Sequence, residues 1–173
     1  MRLLLYTILL IFQFLCIPFK SISEPKIGTE QGNRAPVFQL TSLNNDKIST
    51  ADFRGKIVLL NFWSTLCAPC TAEMPALNRL YHAFSQQGFI VLAVSIDKSE
   101  KPVKEFVNDK KIDFPVLMDS EKEVFFDDFA GPSLPASYLI GKDGIIIETF
   151  HGPQEWDSQG MMSKISKLVD RKR

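Results

Sequence analysis

An apolar run that ends at two cysteines three positions apart, with helical spacing beyond them, limits this chain more than any other feature. Residues 57–62, Ile-Val-Leu-Leu-Asn-Phe, are rich in β-branched and aromatic side chains and read as a buried strand. After Trp63-Ser64-Thr65-Leu66-Cys67-Ala68-Pro69-Cys70, the apolar residues Met74, Leu77, Leu80, Tyr81 and Phe84 recur at helical intervals. The pattern predicts a strand that hands over to a helix at the thiols. The first turn of a helix carries unpaired N–H groups and the positive end of the dipole, and both favour a thiolate. Cys67 is then the exposed nucleophile, and Cys70, one turn in, the shielded thiol that resolves a mixed disulfide. Pro69 suits a first turn, where its missing N–H would have had no partner.

The amino terminus reads as a targeting segment. Arg2 precedes residues 3–19, which are apolar almost throughout, and Lys20 and Ser21-Ile22-Ser23 follow. This run is longer than the roughly 7 to 15 residues of a signal core and shorter than the about 18 to 20 of a spanning helix. Residues 1–23 are therefore expected to be a cleaved signal peptide or a retained membrane anchor, with residues 24–173 exported as one domain. Cys16 lies within the leader after Leu15, where a lipoprotein signal would want a small residue, so the exported body carries only Cys67 and Cys70. A disulfide closing so short a loop does little as a staple, which favours a redox role. The 20 basic and 20 acidic residues balance, leaving no electrostatic footprint for nucleic acid.

Along the body, residues 32–40 read as a first strand and Asn44-Asn45-Asp46-Lys47 as a turn. Residues 49–55 read as a capped helical turn ended by Gly55. A second buried strand covers residues 89–96, and Ser99 and Pro102 open a helix bearing Val103, Phe106 and Val107. A short strand at 114–118 and a helix at 122–129 precede Gly131-Pro132-Ser133-Leu134-Pro135. A hairpin of strands 136–140 and 145–150 turns at Asp143-Gly144, and a last helix runs from 157 to 169. Pro75 is expected to bend the cysteine helix. The whole predicts an α/β sandwich around a mixed sheet.

These residues resemble the TlpA/ResA-type thioredoxin-like family, exported thiol-disulfide oxidoreductases that include cytochrome c maturation reductants. The resemblance spans residues 32–169. It rests on Ala35-Pro36-Val37-Phe38, Arg54-Gly55-Lys56, Val58-Leu59-Leu60-Asn61-Phe62-Trp63, the Cys67/Cys70 pair, Glu73-Met74-Pro75 and Leu134-Pro135 before Ser137-Tyr138-Leu139-Ile140. It implies a thioredoxin fold with an amino-terminal strand extension and an inserted helix-strand unit at residues 98–120. The exchange it implies needs no cofactor and no metal. Its substrates would be disulfides of exported proteins, apocytochrome c among them, and its electrons would come from a membrane-embedded thiol reductase at the periplasmic or extracytoplasmic face.

By spacing alone Glu73 fits either a solvated first-turn acid or one lying beneath the sulfurs. The resemblance implies the latter, a buried glutamate that tunes the thiols and moves their protons, while Asn61 stands where plain thioredoxins carry a buried acid. It likewise implies a cis bond at Leu134-Pro135, beside which an extended substrate pairs. Trp63, with Phe125, Phe126 and Phe129, is a candidate for the substrate surface that composition allows equally to be core. His82 and His151 read as structural or exposed. Leu66 departs from the family, which usually has tryptophan before the first cysteine.

Rival chemistries fit less well. One Cys-X-X-Cys with two scattered histidines is half a zinc site. A copper-delivery relative would space its cysteines one residue further apart. A peroxiredoxin-like antioxidant needs a proline where Leu60 stands, although Ser64 fits its hydroxyl position. A binding module has no use for an intact dithiol. A strong oxidant of this fold often carries histidine just before the second cysteine, where this chain has Pro69. These residues favour a reductant over a general oxidoreductase or an oxidant.

Overall fold

The computed structural model describes residues 24–170, so the leader lies outside the described residues. Among those described, no helix is long and apolar enough to cross a membrane. Seven strands form one sheet in the order β2-β1-β5-β4-β3-β6-β7. Its centre is β3 (Ile57–Trp63) and β4 (Phe89–Ser95), two parallel strands buried along their whole length. They read as continuous apolar runs because both faces of a parallel pair are covered.

Alternation along β3 sorts its side chains. Ile57, Leu59 and Trp63 join a cluster on one face, and Val58, Leu60 and Phe62 join another on the opposite face. The first face receives the three α-helices found among the described residues: α1 (Ala68–Phe84), α2 (Glu100–Lys110) and α3 (Gln159–Val169), through Leu77, Val103 and Ile165 among others. Helix α1 buries Cys70, Glu73, Met74, Leu77, Leu80 and Phe84, a stripe at i, i+3, i+4 and i+7. It runs on through Pro75 without interruption.

The remaining strands frame this centre. β6 (Ala136–Ile140) lies antiparallel to β3 with Ala136 opposite Phe62, and β7 (Ile146–His151) extends the edge. β5 (Val116–Met118) joins β4 in parallel, and the hairpin of β1 (Gln39–Ser42) and β2 (Lys47–Ser49) completes the other edge. β3, β4, β6 and β7 with α1 and α3 make a thioredoxin fold; β1-β2 is its amino-terminal extension and α2-β5 its insertion.

Two segments depart from the sequence expectation. The first strand begins at Gln39 rather than at residue 32, because the chain before it is engaged elsewhere. Gly32 and Ala35 donate to the carbonyls of Ile146 and Gly144, and Pro36 has no N–H to extend a ladder. Residues 122–129 form a single wide π turn, Val124–Asp128, in place of an α-helix. The Asp119 carboxylate caps it by accepting from the N–H of Phe125 at 2.9 Å. That turn swings Phe125 and Phe129 against Phe62, with ring centroids 5.3 and 5.1 Å away, and Tyr138 closes the group at 6.1 Å from Phe62. This face is covered by aromatic rings and the amino-terminal segment instead of by a helix.

Phe62 is fully enclosed, whereas Phe126, whose ring packs on Phe125 at 4.9 Å, is 54% exposed. Phe62→Ala is expected to lower unfolding free energy by about 3–5 kcal/mol, and Phe126→Ala by about 1 kcal/mol or less. Urea denaturation of both variants measures the difference.

Candidate active site

Where β3 ends, the chain turns through residues 64–66 and enters α1 at Cys67, which is its N-cap with extended backbone angles. The Cys67 sulfur accepts from the Cys70 N–H at 3.3 Å, so the first thiol occupies the place where a helix start stabilises negative charge. Pro69 sits in that first turn. The two sulfurs form a disulfide with Cα atoms 5.2 Å apart. Cys67 is partly exposed and Cys70 fully buried, so an incoming disulfide can reach only the first sulfur.

Glu73 lies one turn beyond Cys70 on the buried stripe and is 4% exposed. Asn61 is on the face of β3 that meets α1, and its amide donates to one Glu73 oxygen at 2.9 Å. The other oxygen accepts from the Gln154 N–H at 3.1 Å and the Trp156 indole N–H at 2.9 Å. Burial pushes the Glu73 carboxyl above its ordinary value of 4.5, and the three donors only partly oppose it. The Asn61 amide also donates to Ser137 on β6 at 2.9 Å, tying α1, β3 and β6 together beneath the dithiol. The solvated alternative for Glu73 is therefore excluded by geometry.

The Leu134-Pro135 peptide is cis. Because β6 runs antiparallel to β3 with Ala136 opposite Phe62, this peptide is delivered beside the turn that carries Cys67. Leu134 and Cys67 line one open cleft with Leu66 and Ile96, edged by Lys98, Glu121 and Lys122.

Trp63 needs a correction. Its side chain is fully buried and its ring packs 5.3 Å from Phe106 of α2, so it belongs to the core and not to the substrate surface. Alternation on β3 sends it to the helix-covered face. Phe125 and Phe129 are core as well, and the apolar residue that does stand out at the rim is Leu66, 92% exposed.

Sequence reasoning missed Trp156 and Asp97. Trp156 reaches Glu73 across 83 positions, with no local pattern to announce it. Asp97 follows β4 and is buried against the turn before Cys67, a placement the parallel alignment of the two strands could have suggested.

Comparisons with known proteins agree with this geometry. A family model described as AhpC/TSA family matches residues 31–149. The thiol-disulfide oxidoreductase ResA of Bacillus anthracis is 40% identical over 136 residues, covering 78% of each chain. ResA of Bacillus subtilis is 32% identical over 134 residues, covering 78% of this chain and 74% of its own. A putative thioredoxin from Neisseria meningitidis, solved in solution, aligns with a TM-score of 0.67 at 34% identity over 78% of this chain and 88% of its own. A putative thiol:disulfide interchange protein DsbE from Chlorobium tepidum aligns at 0.72 over 82% and 99% of the two chains; at 24% identity it speaks for the fold.

The raised Glu73 value fixes a sign. Between pH 4.5 and the higher folded-state value the unfolded chain loses this proton while the folded protein still holds it, so stability falls as pH rises across that window and then levels off. Glu73→Gln is expected to remove this downward contribution, measured as the urea midpoint of the oxidised protein against pH. The same variant should shift the pH profile of Cys67 alkylation to lower pH, since a nearby negative charge is gone.

Proposed function

Because the chain belongs to the AhpC/TSA family and is a thiol-disulfide oxidoreductase of thioredoxin fold, we propose that it reduces disulfides of exported proteins, with apocytochrome c and its paired haem-attachment cysteines as the substrate. The Cys67 thiolate attacks one sulfur of the partner's disulfide. That S–S bond breaks, one partner sulfur leaves as a thiolate and takes up a proton, and a mixed disulfide joins Cys67 to the other. Cys70 then gives its proton to the Glu73 carboxylate and attacks the Cys67 sulfur; the Cys67–partner bond breaks, and the second partner sulfur leaves as a thiolate that takes up a proton from water as Glu73 returns its own to water. The partner has gained two electrons and two protons, and the domain keeps the disulfide. Leu134-Pro135 holds the extended substrate segment beside Cys67.

The observation that carries the direction is the buried Glu73 carboxyl on the same stripe as Cys70. A strong oxidant is one whose reduced form is stabilised, usually as a thiolate. Here a buried acid opposes a second negative charge and Pro69 brings no compensating cation, so the reduced form is the less favoured one and electrons flow outward. They are replenished by a membrane-embedded thiol reductase. Residues 1–23, as a cleaved signal or as an anchor, deliver the domain to the periplasmic or extracytoplasmic face of the membrane.

The reduction potential of residues 24–173 in a glutathione or dithiothreitol series tests the direction. A value near or below the about −270 mV of thioredoxin is expected; one near the about −120 mV of a strong oxidant overturns the reductant. Cys67→Ser should abolish turnover, and Cys70→Ser should trap a mixed disulfide with an apocytochrome c carrying oxidised haem-attachment cysteines. A trap that captures other exported disulfides but never this one removes the substrate and leaves the chemistry.

A further inference from the structure

Asp97 is a second buried acid beside the dithiol, and nothing in the exchange described so far uses it. In the parallel pair β3-β4, Trp63 stands opposite Ser95, so the two strands end level and the loops after them emerge side by side. Asp97, two residues past β4, therefore faces the turn that precedes Cys67. It is 7% exposed. One carboxylate oxygen accepts from the Ser64 hydroxyl at 3.0 Å and the Thr65 hydroxyl at 2.7 Å. The other accepts from the Thr65 N–H at 2.9 Å and the Ser95 hydroxyl at 2.7 Å.

The clamp reaches the nucleophile through Ser64. Its hydroxyl oxygen, while donating to Asp97, accepts from the Leu66 N–H at 3.2 Å, and its carbonyl accepts from the Cys67 N–H at 3.1 Å. The backbone N–H groups of residues 65, 66 and 67 are thus all tied to Asp97 or to the serine it holds. A network of this kind fixes a conformation only when each polar member is satisfied, and the four donors do this for the carboxylate. They also keep it ionised: burial acts to raise its pKa, but the bonds from Ser95, Thr65 and Ser64 together bring it below the ordinary carboxylate value.

We propose that Asp97 is a positioning residue for thiol-disulfide exchange, clamping the Ser64–Leu66 turn so that the Cys67 sulfur is aimed into the cleft between Leu66 and Leu134. The attacked disulfide must lie in line with the incoming sulfur, so the aim of Cys67 enters the rate directly. Alkylation by a small reagent that approaches from many directions carries no such demand. The role holds whichever way electrons run, so it stands or falls separately from the reductant direction and from apocytochrome c.

The test compares two rates on the reduced protein, single-turnover oxidation by insulin as a disulfide probe and alkylation of Cys67 by iodoacetamide at a pH where the thiol is fully ionised. Asp97→Ala should slow exchange by about tenfold to a hundredfold and leave alkylation within about twofold of the parent on the same count of aim against thiolate supply. Asp97→Asn keeps the shape, one acceptor and two donors, and should restore exchange to within about threefold of the parent. Ser64→Ala breaks the link to Leu66 and gives the same split in smaller degree if Asp97→Ala does not fold. Parental exchange in folded Asp97→Ala, or in Ser64→Ala where the first does not fold, overturns the role. So does a parallel loss of exchange and alkylation, or an Asp97→Asn as slow as Asp97→Ala, which would assign the effect to charge and not to shape.

Discussion

A strand covered on both faces has only its two edges left for its backbone hydrogen bonds, and β3 must find a partner on each. It takes β4 in parallel on one side and β6 antiparallel on the other. The rest of the site follows from those two pairings. The parallel partner ends level with β3 and sets Asp97 beside the turn; the antiparallel partner begins there and sets Pro135 beside it. Without the pairings, neither residue has any reason in the sequence to be near Cys67.

Two acids enclosed to a similar degree meet opposite fates around the dithiol. Glu73 lies on the buried face of α1 with three donors, one of them a side-chain amide shared with Ser137, and burial prevails. Asp97 stands at the wall of an open cleft with four donors, three of them hydroxyls free to turn toward it, and hydrogen bonding prevails. The first acid is suited to exchange a proton, and the second to remain a fixed anchor. On the proposed roles, charge and geometry at the thiols fall to different residues from different elements.

The strand-to-helix handover, the two sulfurs, the hairpin, and the helix and short strand within residues 98–120 are legible from runs, periods and turn residues, all of them local; that those two elements form an insertion comes from the family resemblance. Glu73 was also more legible than its isolated spacing from Cys70 suggested, since the stripe Cys70, Met74, Leu77 and Leu80 already encloses it. What escaped were features decided by distant partners. Trp63 was drawn into the core by a helix some forty positions on, Trp156 found its acceptor across most of the domain, and Asp97 depends on two strands ending together. The π turn at Val124–Asp128 is built of Val-Phe-Phe-Asp-Asp, residues of weak helix propensity, and its shape goes with the Asp119 cap and with the rings it brings to Phe62.

The cleft beside Cys67 is bordered by Leu66, Ile96, Leu134, Lys98, Glu121 and Lys122, and every one of these lies on a connection outside the seven strands. Ile96 and Leu134 also pack against the core, whereas Leu66, Lys98, Glu121 and Lys122 join neither cluster, so substitution at these four changes no ladder and leaves the packed layer in place. The fold therefore resembles an interchangeable face mounted on a constant electrical contact: a flat aromatic ring at Leu66, or a reversed sign at Lys98, would alter what the chain presents to a partner without touching the packed layer that carries the sulfurs.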